Sequence, residues 1–214
     1  MCGTSGCGKT IFCEQYAFEI LKKGGKVIWI TTEELPTSIR EGMLRFGWDV
    51  EPFEESRKFV ILDAASPARL GLSENVGHGM LGLDPTGMLI VITDQLRSSQ
   101  TEEEDPEKLI LVLDSVSRLL LSCEYKAVID FVACLNSRLE NFRVRGLATV
   151  CEGAHEDKAL NSLTFSCAGT IKFRIREEGD SRVRQFRIDS LRGRSHDDRW
   201  RNYSLTNSGV DIEI

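Results

Sequence analysis

Gly3-Thr4-Ser5-Gly6-Cys7-Gly8-Lys9-Thr10, at the start of the chain, has the spacing G-x-x-x-x-G-K-[ST] of a loop that grips phosphates. Glycines at those places let the backbone turn so that successive N–H groups face phosphate oxygens. A lysine there reaches the β- and γ-phosphates, and the hydroxyl after it can ligate Mg²⁺. The helix that starts at the loop adds the positive end of its dipole. Such a loop needs a distant acid for the metal. Asp114 qualifies, because it closes the apolar run Leu109-Ile-Leu-Val-Leu113 and so stands at a sheet edge. Glu33 and Glu34 follow another apolar run, Lys26-Val-Ile-Trp-Ile30. A carboxylate that orients and deprotonates water must lie at the same edge as the nucleotide, which suits this pair to hydrolysis. Capping of the next helix is the simpler role for two acids in that place. The nucleotide-binding set is Gly3, Ser5, Gly6, Cys7, Gly8, Lys9, Thr10 and Ile11, with Thr10 and Asp114 on the metal. ATP and Mg²⁺ are the cofactors these residues suit.

The elements that position them alternate. Phe12, Tyr16 and Ile20 give an apolar helical stripe from Thr10 to Lys23, ended by Gly24-Gly25. After the strand at 26–30, Pro36 opens a helix with Ile39, Met43 and Leu44 on its apolar face, stopped at Gly47. Phe59-Val-Ile-Leu-Asp63 is a strand, residues 64–84 read as a glycine-rich mobile loop, and Asp84-Pro85 caps a helix to about Ser99. Residues 101–107 read as a solvated acidic turn. Beyond the strand ending at Asp114, an amphipathic helix runs from about Lys126 to Asn141, and Gly146 to Cys151 is the next strand, followed by Glu152. Strand then helix, repeated, implies a mostly parallel sheet flanked by helices. Gly169–Glu177 and Ser181–Leu191 then alternate around a glycine turn as an antiparallel hairpin, and Tyr203 to Ile214 supplies a final strand or two.

At 214 residues, 41% hydrophobic and 28% charged, the chain reads as one α/β domain with a substantial core. Seven cysteines with no C-x-x-C pair read as reduced thiols in a cytoplasmic protein. No apolar run approaches the ~18 residues that span a bilayer. A net charge of −6 argues mildly against a dedicated nucleic-acid binder. Nine arginines from Arg174 to Arg201 keep that partner open, but the favoured reading is solvent-facing hairpin positions with no interleaved aromatic platform. His78 and His155 have no partners at ligand spacing. Only Met1 and Cys2 precede the loop, where a buried strand is expected, so the first strand is expected to be largely absent and the chain N-terminally truncated, or another segment fills the slot.

These residues carry a resemblance. The loop, Thr32-Glu33-Glu34-x-Pro36, Phe46-Gly47-Trp48-Asp49, Leu113-Asp114-Ser115-Val116, Leu191-Arg192-Gly193-x-Ser195-His196 and Thr206-Asn207-Ser208-Gly209-Val210 resemble, in order, the motifs of KaiC-type RecA-like ATPases. The resemblance implies an ATP- and Mg²⁺-binding domain assembled as a homo-oligomeric ring, often a hexamer, with nucleotide between subunits. It implies Glu33 and Glu34 as the catalytic pair, Arg45 near the nucleotide, and Arg192 and His196 reaching ATP from the neighbouring subunit. Ser190 stands where the family usually has lysine, which implies slow hydrolysis, and Asn207 stands where an Asp is usual. A RadB-like recombination accessory protein and a nucleotide-sensing scaffold without turnover are the alternatives.

Overall fold

The computed structural model describes residues 1–66, 82–100, 105, 108–179 and 181–212. Most of the 64–84 stretch, most of the acidic turn at 101–107, and His78 lie outside the described residues.

Two apolar strands form the centre. β2 (Lys26–Thr31) pairs in parallel with β3 (Phe59–Asp63) on one side and β4 (Leu109–Asp114) on the other. Their unbroken hydrophobic runs are explained by burial on both faces. Ile28, Ile30, Leu111 and Leu113 point into one core with α4 (Pro85–Ser99) and α6 (Tyr125–Phe142). Val27, Trp29, Ile110 and Val112 point into the other, with α1 (Lys9–Lys22) and α2 (Pro36–Arg45). Asp84 caps α4 as expected, accepting from the N–H groups of Thr86 (3.3 Å) and Gly87 (2.7 Å). Short helices α3 (Glu51–Glu55) and α5 (Val116–Ser122), and α7 (Asp157–Ser166), have no counterpart in the sequence reading.

The segment 145–151 joins two ladders. Its first part, β5 (Arg145–Ala148), pairs with β4, and its last, β6 (Val150–Cys151), pairs in parallel with β1 (Cys2–Gly3). Thr149 lies between them and donates its N–H to Leu113 O at 3.0 Å. The slot before the loop is thus filled by Cys2 and Gly3, which also pair in parallel with β7 (Gly169–Glu178). From β7 the sheet continues antiparallel through β8 (Ser181–Leu191), β9 (Arg201–Thr206) and β10 (Gly209–Ile212). Phe173, Phe186 and Tyr203 beneath this extension pack with Phe12 of α1.

Three details of packing differ from the sequence reading. The buried residues of α1 are Cys13, Glu14, Ala17 and Leu21, while Phe12, Tyr16 and Ile20 are half-buried. The helix lies between the central strands and the C-terminal extension, so it is apolar on two sides. Leu44 of α2 is 59% exposed, facing away from Ile39 and Met43. An aromatic ring does interleave with the arginines: Trp200 is stacked by Arg174, 3.8 Å from guanidinium to ring centre, and by Arg187 at 4.7 Å. Those two arginines are half-buried rather than solvated.

Candidate nucleotide site

Loop 3–10 leaves β1 and runs into α1, as a phosphate loop must. Gly3 is required by close approach, since a Cβ there would lie 2.5 Å from Phe173 O in the adjoining strand. Gly6 (φ 75°) and Gly8 (φ 87°) have the left-handed backbone that glycine adopts without strain. Tyr203, from β9, donates its hydroxyl to Cys7 O and ties the loop to the C-terminal extension. Lys9 Nζ donates to Gly3 O (2.8 Å) and Thr4 O (2.9 Å) and lies 3.6 Å from Cys7 Sγ. Its partners among the described residues are neutral acceptors, so its charge is held inside the loop with none of their carboxylates bound to it.

Three strand ends converge on this loop. Thr10 Oγ1 donates to Asp114 Oδ2 at 2.8 Å, and Thr149 Oγ1 donates to Asp114 Oδ1. Burial raises the pKa of Asp114, the two threonine hydrogen bonds pull it down, Glu33 raises it and the Lys9 charge lowers it. Next along, Ser115 Oγ donates to Glu33 Oε1, which hangs the first of the glutamate pair on the end of β4. Thr32 Oγ1 accepts from Ser115 N (2.9 Å) and donates to Ser115 O (2.8 Å), locking the ends of β2 and β4 together. Glu33 and Glu34 themselves are exposed at that edge.

Lys9, Thr10, Asp114, Glu33 and Glu34 therefore share one sheet edge. Arg45 ends α2 and is exposed. Arg192 follows β8, with Nη2 donating to Phe165 O and its guanidinium 5.5 Å from the Phe165 ring. His196 Nδ1 is 3.3 Å from Arg194 O. Among the described residues none of these three is bonded to Lys9, Thr10 or Asp114.

Sequence reasoning passed over Thr149 and Glu14 and gave Thr32 no role of its own. Thr149 was inside a strand already recognised, so a hydroxyl next to a strand end facing Asp114 was the available signal. Glu14 follows Thr10 by four residues, which stacks the two on one helix face. It is 4% exposed, and its pKa is pushed up to about 8 by burial first, then by the charges of Glu34 and Asp114. The oxygen-only set of Thr10 and Asp114 fits a hard divalent cation such as Mg²⁺.

The family model described as "ATPase: KaiC" matches residues 1–213. A UPF0273 protein of Pyrococcus horikoshii is 26% identical over 98% of this chain and 83% of its own length. One from Thermotoga maritima is 24% identical over 98% and 84% respectively. Among solved structures, a KaiC-like protein of the hyperthermophilic archaeon Pyrococcus horikoshii superposes with a TM-score of 0.80 at 22% identity, covering 100% of this chain and 88% of that one. No helix among the described residues is long and apolar enough to cross a membrane. With its glycine-rich loop, Asp114 and the glutamate pair on one edge and a family match along nearly its full length, this chain belongs to the KaiC family of ATPases.

Proposed function

We propose that the chain binds ATP with Mg²⁺ at the loop and hydrolyses it slowly, with the nucleotide held between subunits of a homo-oligomeric ring. The observation that carries this reading is the bond from Thr10 to Asp114, with Glu33 suspended beside it on Ser115. Thr10 and Asp114 would hold Mg²⁺, which supplies neutralisation of charge on the β- and γ-phosphates. Gly3, Ser5, Gly6, Cys7, Gly8 and Ile11 shape the phosphate cradle, and Lys9 exchanges its carbonyl partners for phosphate oxygens. Glu33, fixed by Ser115, orients and deprotonates the attacking water, and Glu34 supports it. Arg192 and His196 are engaged elsewhere within the chain, which suits donation to a neighbour's nucleotide, where an arginine can be worth roughly 10³-fold or more. Ser190 leaves that trans site one cation short and supports a slow rate.

Phosphate release and ATP titration test this together. Lys9→Ala should abolish ATP binding. Glu33→Gln with Glu34→Gln should keep binding and lose turnover, and release at the parent rate would refute the base assignment. Mass in solution with and without ATP and Mg²⁺ tests the ring; an ATP-loaded monomer overturns it.

A further inference from the structure

Strand β9 backs the glycine-rich loop. Tyr203, 4% exposed, donates its hydroxyl to Cys7 O. Leu205 lies against the next residue of the loop, since a Cβ on Gly8 would stand 3.2 Å from Leu205 Cδ2. Alternate residues of a strand share a face, so both side chains reach the loop from one side of β9. The strand is itself fixed. It pairs with β8, where Arg184 stands opposite Tyr203, and with β10, where Val210 stands opposite Leu205. Val210 in turn donates its N–H to Gln15 Oε1 of α1 at 2.6 Å and accepts from Gln15 Nε2 at 3.2 Å. The Tyr203 ring meets Phe173 edge-on at 5.8 Å and Phe186 at 6.0 Å, which leaves its hydroxyl little freedom. Burial first, then Cys7, raise the pKa of that hydroxyl, so it stays a donor throughout the neutral range.

The Cys7 carbonyl and the Gly8 N–H belong to one planar trans peptide unit and point opposite ways. A carbonyl drawn to Tyr203 therefore turns the Gly8 N–H away from β9, and no acceptor among the described residues is bonded to that N–H. Turning this peptide plane over would change φ at Gly8, now 87°, and glycine accepts the change at little cost. The tyrosine hydroxyl selects one of the two orientations.

We propose that Tyr203 is a positioning residue for phosphate, acting through the Cys7 carbonyl to aim the Gly8 N–H at ATP phosphates before they arrive. The inference rests on the reading of the loop as an ATP site. In the other orientation Cys7 O would face the phosphates and repel them. A donor aimed in advance spares the cost of reorganisation on binding.

Tyr203→Phe deletes the hydroxyl and keeps the ring in its aromatic cluster. ATP with Mg²⁺, and inorganic tripolyphosphate, which has phosphates and no base, are titrated by calorimetry. The variant should bind both about five- to tenfold more weakly than the parent. Phe186→Leu, which thins the same cluster and leaves the hydroxyl in place, should lower Tm at least as much yet keep both affinities within about twofold. A ligand-free measurement runs beside these. The Cys7 thiol is fully buried, and iodoacetamide should label it at least about threefold faster in Tyr203→Phe, and near the parent rate in Phe186→Leu, as read by peptide mass spectrometry. Affinities within about twofold of the parent in Tyr203→Phe, or an equal loss in Phe186→Leu, overturn the proposal and leave the ATP site standing. A parent that binds neither ATP nor tripolyphosphate overturns the ATP site and the proposal with it, and the Cys7 rate then reports only whether Tyr203 holds the loop.

Discussion

Glu14 offers the most exacting test of the electrostatics around the loop. It is 4% exposed on α1, and a Cβ placed on Gly42 of α2 would lie 3.6 Å from its Oε1. Burial, Glu34 and Asp114 together move its pKa from 4.5 to about 8. The unfolded chain ionises this group near 4.5, while the folded chain keeps the proton until about pH 8. Its stability contribution is therefore fully present below the unfolded value and is lost as pH rises through the folded one. At full ionisation the loss is roughly 5 kcal/mol. Glu14→Gln removes the ionisation at nearly the same shape, although a buried amide lacking partners costs about 1–3 kcal/mol in return. In metal-free urea unfolding followed by circular dichroism, the variant should be more stable than the parent by about 2–3 kcal/mol at pH 8.5. At pH 5, where the parent is still protonated and only the amide cost remains, the order reverses and the variant should be the less stable by about 1 kcal/mol. A gap of the same size at both pH values, or a parent that is the more stable at pH 8.5, refutes the reasoning.

Two further substitutions address the scaffold. Gly3→Ala sets a Cβ 2.5 Å from Phe173 O and 2.8 Å from Phe173 Cβ. A two-residue strand cannot move without losing its pairing, so the loss should be about 3 kcal/mol or more, a fall of at least roughly 6 °C in Tm. A fall under about 2 °C would show that β1 tolerates displacement. Thr149→Val deletes a hydrogen bond that lowers the Asp114 pKa. Less of the acid is then ionised at a given pH, so the Mg²⁺ concentration needed for half-maximal ATP binding should rise about tenfold at pH 6.5 and recover toward the parent as pH increases. An unchanged requirement at pH 6.5 would remove Thr149 from the metal site.

Part of this was legible from order alone. The loop spacing, the apolar runs at 26–30 and 109–113 and the acids that end them lie within short windows, and burial on both faces writes itself as unbroken hydrophobicity. The same holds for the hairpin, whose two-residue alternation survives in β7 and β8. The stripe of α1 was misread because that helix meets apolar surface on two sides, so a single-face template picked Phe12, Tyr16 and Ile20 over the most buried set. The aromatic among the arginines was missed because Trp200 is 26 residues from Arg174 and 13 from Arg187, and only the folding of β9 beside β8 closes those gaps.

By itself, the amino-acid order supplied the pieces: a glycine-rich loop ending in Lys9 and Thr10, an acid closing one apolar strand and two carboxylates closing another. Only the tertiary structure decided which of them meet. Thr10 reaches Asp114 across 104 residues and Ser115 reaches Glu33 across 82, because parallel pairing brings their strand ends to a common edge.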